Sequence, residues 1–347
     1  MKKDLLGMTI EELKQFATEM GEKPFRGKQL FVWINRGAQN FDEMTDLPLA
    51  FRQRLAEEAC IGHVRVIDMQ IDKSDGTRKF LFGLGDDDDC GAQEAVESVF
   101  MKYKYGNTLC VSSQIGCRMG CSFCASALGG FVRNLTAGEM LSQVLMAENT
   151  TGEPINHIVI MGMGEPFDNY DNVAQFLRLL HDPDGKNMSY RNMTVSTSGI
   201  IPMIERFGAD FPQAGLAISL HRLRDEDRSR LMPVNRKYPV DDLLSAAKAY
   251  TEKTGRRITF EYALIRGEND SDEDVTLIIR KLRGMLCHVN LIPLNKVAET
   301  GLEGSSRSRA EEIAQVLTES GISATVRREL GAGIDGACGQ LRLRNKK

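Results

Sequence analysis

From residue 106 onward, short apolar runs alternate with longer stretches in which apolar residues recur at helical spacing. The apolar runs have the length and β-branched content of buried strands, and they lie at 108–113, 157–163, 192–198, 215–220, 257–264 and 287–294. The helical stretches lie at 136–149, 172–181, 202–207, 241–254, 271–285 and 308–320. Six strand–helix units in series predict an α/β protein whose parallel sheet is buried on both faces, open or curled into a partial barrel.

The first 60 residues favour helices, and the next 40 favour short strands. Apolar residues recur near helical spacing from Leu5 to Phe16, and Thr9 with Glu12 fits a capping box. Helices are also predicted at 27–35 and 47–60, strands at 63–70, 78–83 and 95–103, and a last strand at 322–330. We therefore predict an N-terminal helical domain at 1–60, a β-rich extension at 61–102, the α/β core at 103–333, and a C-terminal loop and tail at 334–347.

The composition indicates the cellular compartment of the protein more than its function. The chain has 347 residues, of which 42% are hydrophobic and 27% charged, as in ordinary soluble proteins. No stretch approaches the roughly 18 apolar residues of a membrane span, and no apolar leader follows the basic start. We expect a cytoplasmic protein, monomeric by default, whose cysteines stay reduced.

The net charge of −4 provides no overall attraction for nucleic acid. Local basic groups do occur, and one set consists of Arg222, Arg224, Arg228 and Arg230. Solvated helix faces partnered by the acidic residues at 225–227 explain these arginines as well as RNA contacts do.

Candidate chemistry is concentrated in residues 110–124. Three cysteines there stand as C-x3-C-x2-C, namely Cys117, Cys121 and Cys124. Gly116 and Gly120 allow the tight turns that direct several sulfurs to one place. Clustered thiolates in an intracellular chain are metal or iron–sulfur ligands, and three ligands leave one coordination position open for chemistry. Two alternatives remain, buried thiols without chemistry and a zinc knuckle completed by His157 or His221.

Small polar groups also follow successive predicted strands, at the edge where parallel sheets bind ligands. They are Gly164, Glu165, Ser196, Ser219, Leu220, His221 and Asn295. Glycine allows close approach of the backbone to a ligand, and Glu165 supplies an anion for an amine. Together these residues predict one pocket.

Nine segments come in an order that resembles one known family. They are Cys110–Cys117, Gly129–Thr136, Met161–Pro166, Val195–Gly199, Ala217–His221, Leu231–Asn235, Gly255–Tyr262, Asn290–Pro293 and Ala337–Gln340. The series resembles the RlmN/Cfr family of radical S-adenosylmethionine (SAM) adenosine methyltransferases over essentially the whole chain. The resemblance implies a radical SAM partial (β/α)6 barrel with a small N-terminal helical accessory domain and a short β-rich extension. Two residues, Arg222 and Gly336, depart from the family's usual sequence. They bear on how the substrate fits rather than on the reaction.

The resemblance also implies residue roles. Cys117, Cys121 and Cys124 would bind a [4Fe–4S] cluster, and the strand-end residues Gly164, Glu165, Ser196, Ser219, Leu220, His221 and Asn295 would line the SAM site. Cys338 would carry the methyl group, Cys110 would be its partner in a transient disulfide, and Glu97 would accept a proton. Without the resemblance, Cys338 is interpreted as an inert thiol, Cys110 as a cysteine of the first core strand, and Glu97 as an acid on the wet face of a strand.

The implied reaction is methylation of C2 of adenosine, through an S-methylcysteine intermediate and two SAM molecules. The implied substrates are 23S rRNA at the peptidyl-transferase centre and tRNA at the adenosine 3′ to the anticodon, with flavodoxin or ferredoxin as electron donor. Two alternatives stay open. One is methylation of C8 of the same rRNA adenosine, which would use the same cysteines. The other is a non-catalytic, metal-stabilised RNA-binding protein, which predicts zinc and no need for Cys338.

Overall fold

The structure, a computed structural model, describes residues 2–85, 94–295 and 301–334. Cys338 and the acidic stretch 86–89 lie outside the described residues.

The N-terminal region is mainly helical, as predicted. It contains β1 (Lys3–Asp4), α1 (Ile10–Glu19), α2 (Phe25–Asn35), α3 (Leu49–Glu58) and β2 (Ala59–Cys60). The capping box is confirmed, because Thr9 accepts the backbone N–H of Glu12 and the Glu12 carboxylate accepts that of Thr9. The prediction that the third helix reaches Cys60 is wrong, since Ala59 is extended and pairs with Lys3.

Three antiparallel strands follow, namely β3 (Arg65–Ile71), β4 (Arg78–Gly83) and β5 (Ala95–Tyr103). The bounds of β4 and β5 agree with those predicted. The remaining elements are β6 (Gly106–Cys110), β7 (Gln114–Gly116), α4 (Ala125–Leu128), β8 (Phe131–Asn134), α5 (Ala137–Thr151), β9 (His157–Ile160), α6 (Tyr170–His181), β10 (Met193–Thr197), α7 (Ile201–Asp210), β11 (Gly215–Ser219), α8 (Asp225–Leu231), α9 (Val240–Thr254), β12 (Ile258–Leu264), α10 (Asp272–Leu282), β13 (Cys287–Pro293), α11 (Arg307–Glu319) and β14 (Ser323–Val326).

All six predicted strand–helix units and the last strand are present. The hairpin β7–β8 and helix α8 were not predicted, because such short elements show no clear periodicity. The main sheet of the described chain runs β14-β13-β12-β11-β10-β9-β6-β5-β4-β3. Neighbours are parallel from β14 to β6 and antiparallel from β6 to β3.

This sheet is curled into the predicted partial barrel. In a flat sheet β14 and β4 would lie about 38 Å apart, since eight steps of about 4.8 Å separate them. Yet the backbone N–H of Gly331, shortly after Val326 ends β14, donates to Oδ2 of Asp75 in the β3–β4 turn at 3.0 Å. Five residues span at most about 17 Å. The two sides of the sheet therefore approach each other, and residues 327–331 cross the gap between them.

The N-terminal region packs on the outside of this barrel. Gly7 and Gly138 lie so close that a Cβ on Gly7 would meet the Gly138 backbone at 2.5 Å. Gln175 on α6 donates to the Gly7 carbonyl at 2.7 Å. One continuous hydrophobic core includes residues from both regions, so the division at residue 60 stays a prediction. No helix in the described ranges has the length and hydrophobicity needed to cross a membrane.

Candidate active site

The cysteine loop leaves β7 through a turn that only glycine permits. Gly116 has a φ of +70°, and a Cβ there would stand 1.7 Å from the Gly130 carbonyl oxygen. Cys117 donates its N–H to that oxygen at 3.1 Å, and Gly120 also has a left-handed φ of +67°. Cys124 donates its N–H to the Cys121 carbonyl and begins α4. These turns bring the three cysteine side chains to one cavity.

That cavity, termed the inner cavity, lies beyond the carboxyl ends of β9 to β13, as predicted. Its lining includes Cys117, Cys121, Cys124, Gly164, Glu165, Ser196, Ser219, His221, Glu261, Asn295 and Arg327. Six of the seven predicted strand-end residues are therefore brought together. Leu220 is not among the lining residues, because its side chain is buried in the core. Its N–H donates to the Glu261 carbonyl.

Glu165 is a buried carboxylate held by backbone donors. Oε2 accepts the N–H of Ser198 at 2.7 Å, and Oε1 accepts that of Phe167 at 3.0 Å. Burial raises the pKa of Glu165, and these hydrogen bonds offset only part of that rise. Gly164 is needed beside it, because a Cβ there would meet Gln114 at 2.6 Å and its φ is +106°.

His221 takes a left-handed backbone conformation, with a φ of +54°. Its Nδ1 accepts the N–H of Ala263 at 2.9 Å, so in the neutral ring the proton lies on Nε2. Burial, and secondly the charge of Arg228, lowers the pKa of His221 to about 3. The ring is therefore neutral at physiological pH and packs edge-on against Phe123, with centroids 4.9 Å apart.

Arg228 on α8 is a site residue that sequence reasoning missed. Its side chain is fully buried, and its guanidinium donates to the carbonyl oxygens of Ser198 at 2.7 Å, Ser219 at 2.9 Å and Leu220 at 3.0 Å. One cation therefore ties together the ends of β10 and β11. Burial lowers the pKa of Arg228 to about 10, which still leaves it charged at neutral pH.

The prediction of solvated arginine faces holds for Arg230, whose side chain is 79% exposed, and is wrong for Arg228 and Arg222. The available sequence signal was Leu231, one helical turn after Arg228, which marks that side of α8 as buried. Arg222 is buried and pairs with Glu268 at 2.5 Å.

A second cavity, the outer cavity, adjoins the first. It has a volume of about 320 Å³, within the range of small-molecule sites. It is lined by Val99, Met101, Tyr103, Cys110, Met161, Ile292, Pro293, Leu294, Asn295, Gly304, Ser305, Arg307, Arg327, Arg328, Glu329 and Leu330. Five residues line both cavities, namely Met161, Ile292, Leu294, Asn295 and Arg327. Cys110 therefore lines a cavity that adjoins the one lined by the cysteine loop.

Glu97 lies on the same face of the sheet as Cys110. Cys110 is directly opposite Val99 in the β5–β6 ladder, and Glu97, two residues away on β5, points to the same side. Such diagonal neighbours have Cα atoms about 7–8 Å apart. The expectation that Glu97 lies on a wet face is wrong, since it is only 8% exposed and pairs with Lys79 at 3.6 Å.

The three thiols suit a [4Fe–4S] cluster. Burial raises the pKa of Cys117 to about 12 and that of Cys121 well above its ordinary value, and the neighbouring sulfurs add to the rise. Such thiols lose their protons when they bind a strong cation, and the iron of a cluster provides that cation.

A zinc knuckle fits less well. His157 begins β9, at the opposite end of the barrel from the cysteine loop, and its ring contacts Tyr105. Nδ1 of His221 accepts the N–H of Ala263, which leaves the ring proton on Nε2. Neither ring nitrogen therefore has a lone pair available for zinc. Within the described ranges, no three His, Cys, Asp or Glu side chains are placed to hold a single metal ion. In a [4Fe–4S] cluster each thiolate binds its own iron, so the ligands need not converge on one point.

The fold and this site define a radical SAM enzyme, and comparison with known proteins identifies the branch. Residues 3–61 match a family model described as the ribosomal RNA large subunit methyltransferase N-terminal domain, and residues 111–278 match the radical SAM superfamily. A "Probable dual-specificity RNA methyltransferase RlmN" of Alkaliphilus oremlandii is 49% identical over 99% of this chain and 98% of its own length. One from Clostridium perfringens (strain SM101 / Type A) is 50% identical over 98% of this chain and 96% of its own.

The crystal structure of a radical SAM methyltransferase from Sphaerobacter thermophilus superposes with a TM-score of 0.93 at 42% identity, covering 99% of this chain and all of that one. The chain belongs to the RlmN family of radical SAM RNA methyltransferases. It is therefore a SAM-dependent radical methyltransferase, and its family implies a [4Fe–4S] cluster and SAM as cofactors. The predicted family, fold and cofactors are confirmed.

Proposed function

We propose that this enzyme methylates C2 of adenosine in 23S rRNA at the peptidyl-transferase centre and in tRNA 3′ to the anticodon, with Cys338 as methyl carrier. The observation that carries the proposal is the outer cavity, because the Cys110 thiol lines it and Glu97 lies on the same sheet face. Direct polar methylation has no need for a second thiol or for a base beside a carbon atom. Transfer to the unreactive C2 carbon through a cysteine needs both.

Cys117, Cys121 and Cys124 would hold the cluster, and the other lining residues of the inner cavity would hold SAM. Together these cofactors supply a methyl group and the carbon-centred radical chemistry that C2 requires. Glu165 would bind the amine of SAM, because it is a buried anion at the end of β9. Arg228 keeps the carbonyls of Ser198 and Ser219 in place at the edge of the inner cavity, where SAM would bind.

Glu97 is proposed to take the proton from the ring carbon. A buried carboxylate requires a partner, and the Lys79 ammonium 3.6 Å away provides one. Cys110 is proposed to attack the sulfur of Cys338. That attack forms a disulfide and breaks the S–C bond that holds the product, whose carbon keeps the bonding electron pair and takes up a proton to become the methyl group. The disulfide would be transient, as expected of a cytosolic catalytic pair.

The rim of the outer cavity suits an RNA substrate. Arg307 and Arg328 line the cavity and are exposed, and Tyr103 also lines it. Guanidinium groups bind phosphates and aromatic rings stack on unpaired bases. The target adenine must leave its stack to reach Cys110 and Glu97, so a rim of this chemistry is what the reaction needs.

We further propose a cytoplasmic, monomeric enzyme that receives electrons from a flavodoxin or a ferredoxin. The four predicted parts of the chain would then divide the work. Residues 1–60 would form the accessory domain, 61–102 would carry Glu97, 103–333 would hold both cofactors, and 334–347 would carry Cys338.

Mass spectrometry of nucleoside products tests the proposal. Anaerobically reconstituted enzyme is given SAM, a reductant, and either 23S rRNA fragments or tRNA. C2-methyladenosine from both RNAs supports the proposal, and C8-methyladenosine would assign the chain to the other reaction with the same cysteines. Cys338→Ala and Cys110→Ala should each abolish turnover. Cys60→Ala is the matched control, because Cys60 lies in β2 and lines neither cavity.

A further inference from the structure

The turn between β3 and β4 holds the start of the C-terminal segment. Asp72 Oδ2 accepts the backbone N–H of Gly333 at 3.0 Å, and Asp75 Oδ2 accepts that of Gly331 at 3.0 Å. These contacts join residues 261 and 256 positions apart in the chain. We call this pair of contacts the tail anchor.

In each aspartate one carboxylate oxygen accepts hydrogen bonds from the turn and the other accepts one from the C-terminal segment. Oδ1 of Asp72 accepts both the N–H and the hydroxyl of Ser74, and Oδ1 of Asp75 accepts the N–H of Thr77. These bonds shape the turn itself. Oδ2 of both residues is thereby directed outward to residues 331–333. The turn therefore presents one acceptor oxygen to Gly331 and one to Gly333.

Charge strengthens the contact. The hydrogen bonds from Ser74, and then that from Gly333, hold the pKa of Asp72 below its ordinary value. Burial opposes ionisation of Asp75, but the bonds from Gly331 and Thr77 outweigh it and lower its pKa. Both acceptors are therefore ionised at neutral pH, and hydrogen bonds to ionised acceptors are roughly twice as strong as neutral ones.

The anchored residues are fixed from the other side as well. Arg327 donates its N–H to Leu291 on β13, and Leu330 is buried in the core. Ile334 closes a short turn by donating its N–H to the Gly331 carbonyl at 3.2 Å. Residues 327–330 line the outer cavity, so the anchor sets where the chain leaves that cavity.

Cys338 follows Ile334 by four residues, and four residues of chain span at most about 13 Å. We propose that Asp72 and Asp75 are positioning residues, which hold residues 331–334 so that the methyl-carrying sulfur of Cys338 reaches the cofactor site and then the RNA. This inference rests on the proposed role of Cys338. It assigns to the β3–β4 turn, far from the cysteine loop in sequence, a part in transferring the methyl group.

The test uses the reconstituted holoenzyme and the double substitution Asp72→Ala with Asp75→Ala. Two controls come from the same turn. Lys73→Ala changes an exposed residue, and Ser74→Ala removes a bond that shapes the turn while leaving both anchor oxygens. Asp72→Asn should be intermediate, since its single carbonyl oxygen can face either Ser74 or Gly333 but not both. Iron content and SAM affinity are measured first for every variant.

Three readouts follow: S-methylation of Cys338 in a single turnover, C2-methyladenosine formed per SAM cleaved, and hydrogen exchange of the 331–334 amides. We expect the double variant to lose at least about 10-fold in both chemical readouts, because small misplacements of reacting groups are costly. Iron and SAM binding should be unchanged, and protection of Gly331 and Gly333 should fall. A merely structural role would lower thermal stability without changing the product formed per SAM cleaved.

If the double variant and Lys73→Ala formed equal amounts of C2-methyladenosine per SAM cleaved, the positioning role of the tail anchor would be overturned. The proposed function would stay intact. Parallel loss of iron and SAM binding would overturn it too, by showing a general structural defect. Absence of S-methylcysteine at position 338 in the wild-type enzyme would instead overturn the proposed function, whatever the exchange data show.

Discussion

Arg228 donates a hydrogen bond from its buried guanidinium to the backbone carbonyl of Ser198 at 2.7 Å. The same group reaches Ser219 and Leu220 on the neighbouring strand. The edge of the barrel that lines the inner cavity is thus held by a cation that does not itself line the cavity. The position of Glu165 depends on this edge, since Ser198 also donates to its carboxylate.

Replacing Arg228 with Leu should therefore destabilise the protein strongly. The change leaves several buried carbonyl oxygens without a donor, and we expect a loss of about 3 kcal/mol or more in the free energy of unfolding. Urea denaturation measures it. Arg230→Leu on the same helix is the matched control, because its side chain is 79% exposed and should cost within about 0.5 kcal/mol. Equal losses in the two variants would contradict the assigned role.

Glu165→Gln should weaken SAM binding by about 10- to 100-fold, since a charged hydrogen-bond partner contributes about 1.5–3 kcal/mol. Titration calorimetry on the reconstituted enzyme measures the affinity. Glu261→Gln is the control, because Glu261 is equally buried in the inner cavity but already faces Arg327 at 3.7 Å and Asn290 at 2.8 Å. A larger loss in the Glu261 variant would move the amine site to that residue.

His221 should make the protein less stable in mild acid. The pKa of His221 in the folded protein is about 3, below the ordinary 6.5. The stability that depends on the neutral ring is therefore fully present above pH 6.5 and is lost as the pH falls toward 3. Between pH 7 and pH 5 the loss is about 2 kcal/mol, because the unfolded chain binds a proton that the folded chain does not.

His221→Asn should reduce that pH dependence by the same amount, since Asn tolerates a positive φ and does not titrate. Urea unfolding at the two pH values gives the comparison. His157→Asn, at the start of β9 and away from the inner cavity, is the control. A pH dependence unchanged in His221→Asn would show that other groups cause it.

Glu97→Gln should separate the two halves of the reaction. The amide cannot accept the ring proton, so product formation should fall by about 100-fold or more, while Cys338 still acquires its methyl group. Nucleoside and peptide mass spectrometry on one sample give both quantities. Glu94→Gln is the control, because Glu94 pairs with Arg133 at 3.0 Å away from both cavities. Normal turnover in Glu97→Gln would remove Glu97 from the mechanism.

Local sequence was sufficient for most elements of this protein. Helix and strand periods predicted the six strand–helix units and the bounds of β4 and β5, because each element exposes one face to the core and the spacing of apolar residues records it. The C-x3-C-x2-C spacing and the left-handed glycines beside it indicated the metal loop, since ligand spacing and backbone freedom are properties of consecutive residues.

Contacts between distant residues were decided only by the tertiary structure. The burial of Glu97 depends on Lys79 of β4 and on the register that places Val99 opposite Cys110. The role of Arg228 depends on three carbonyls at the ends of β10 and β11, and the tail anchor joins positions 72 and 333. The sequence by itself determined which elements form and which chemistry the chain carries. The curl of the sheet decided which groups meet, because hydrogen bonds and ion pairs between different elements leave no periodic signal in the chain.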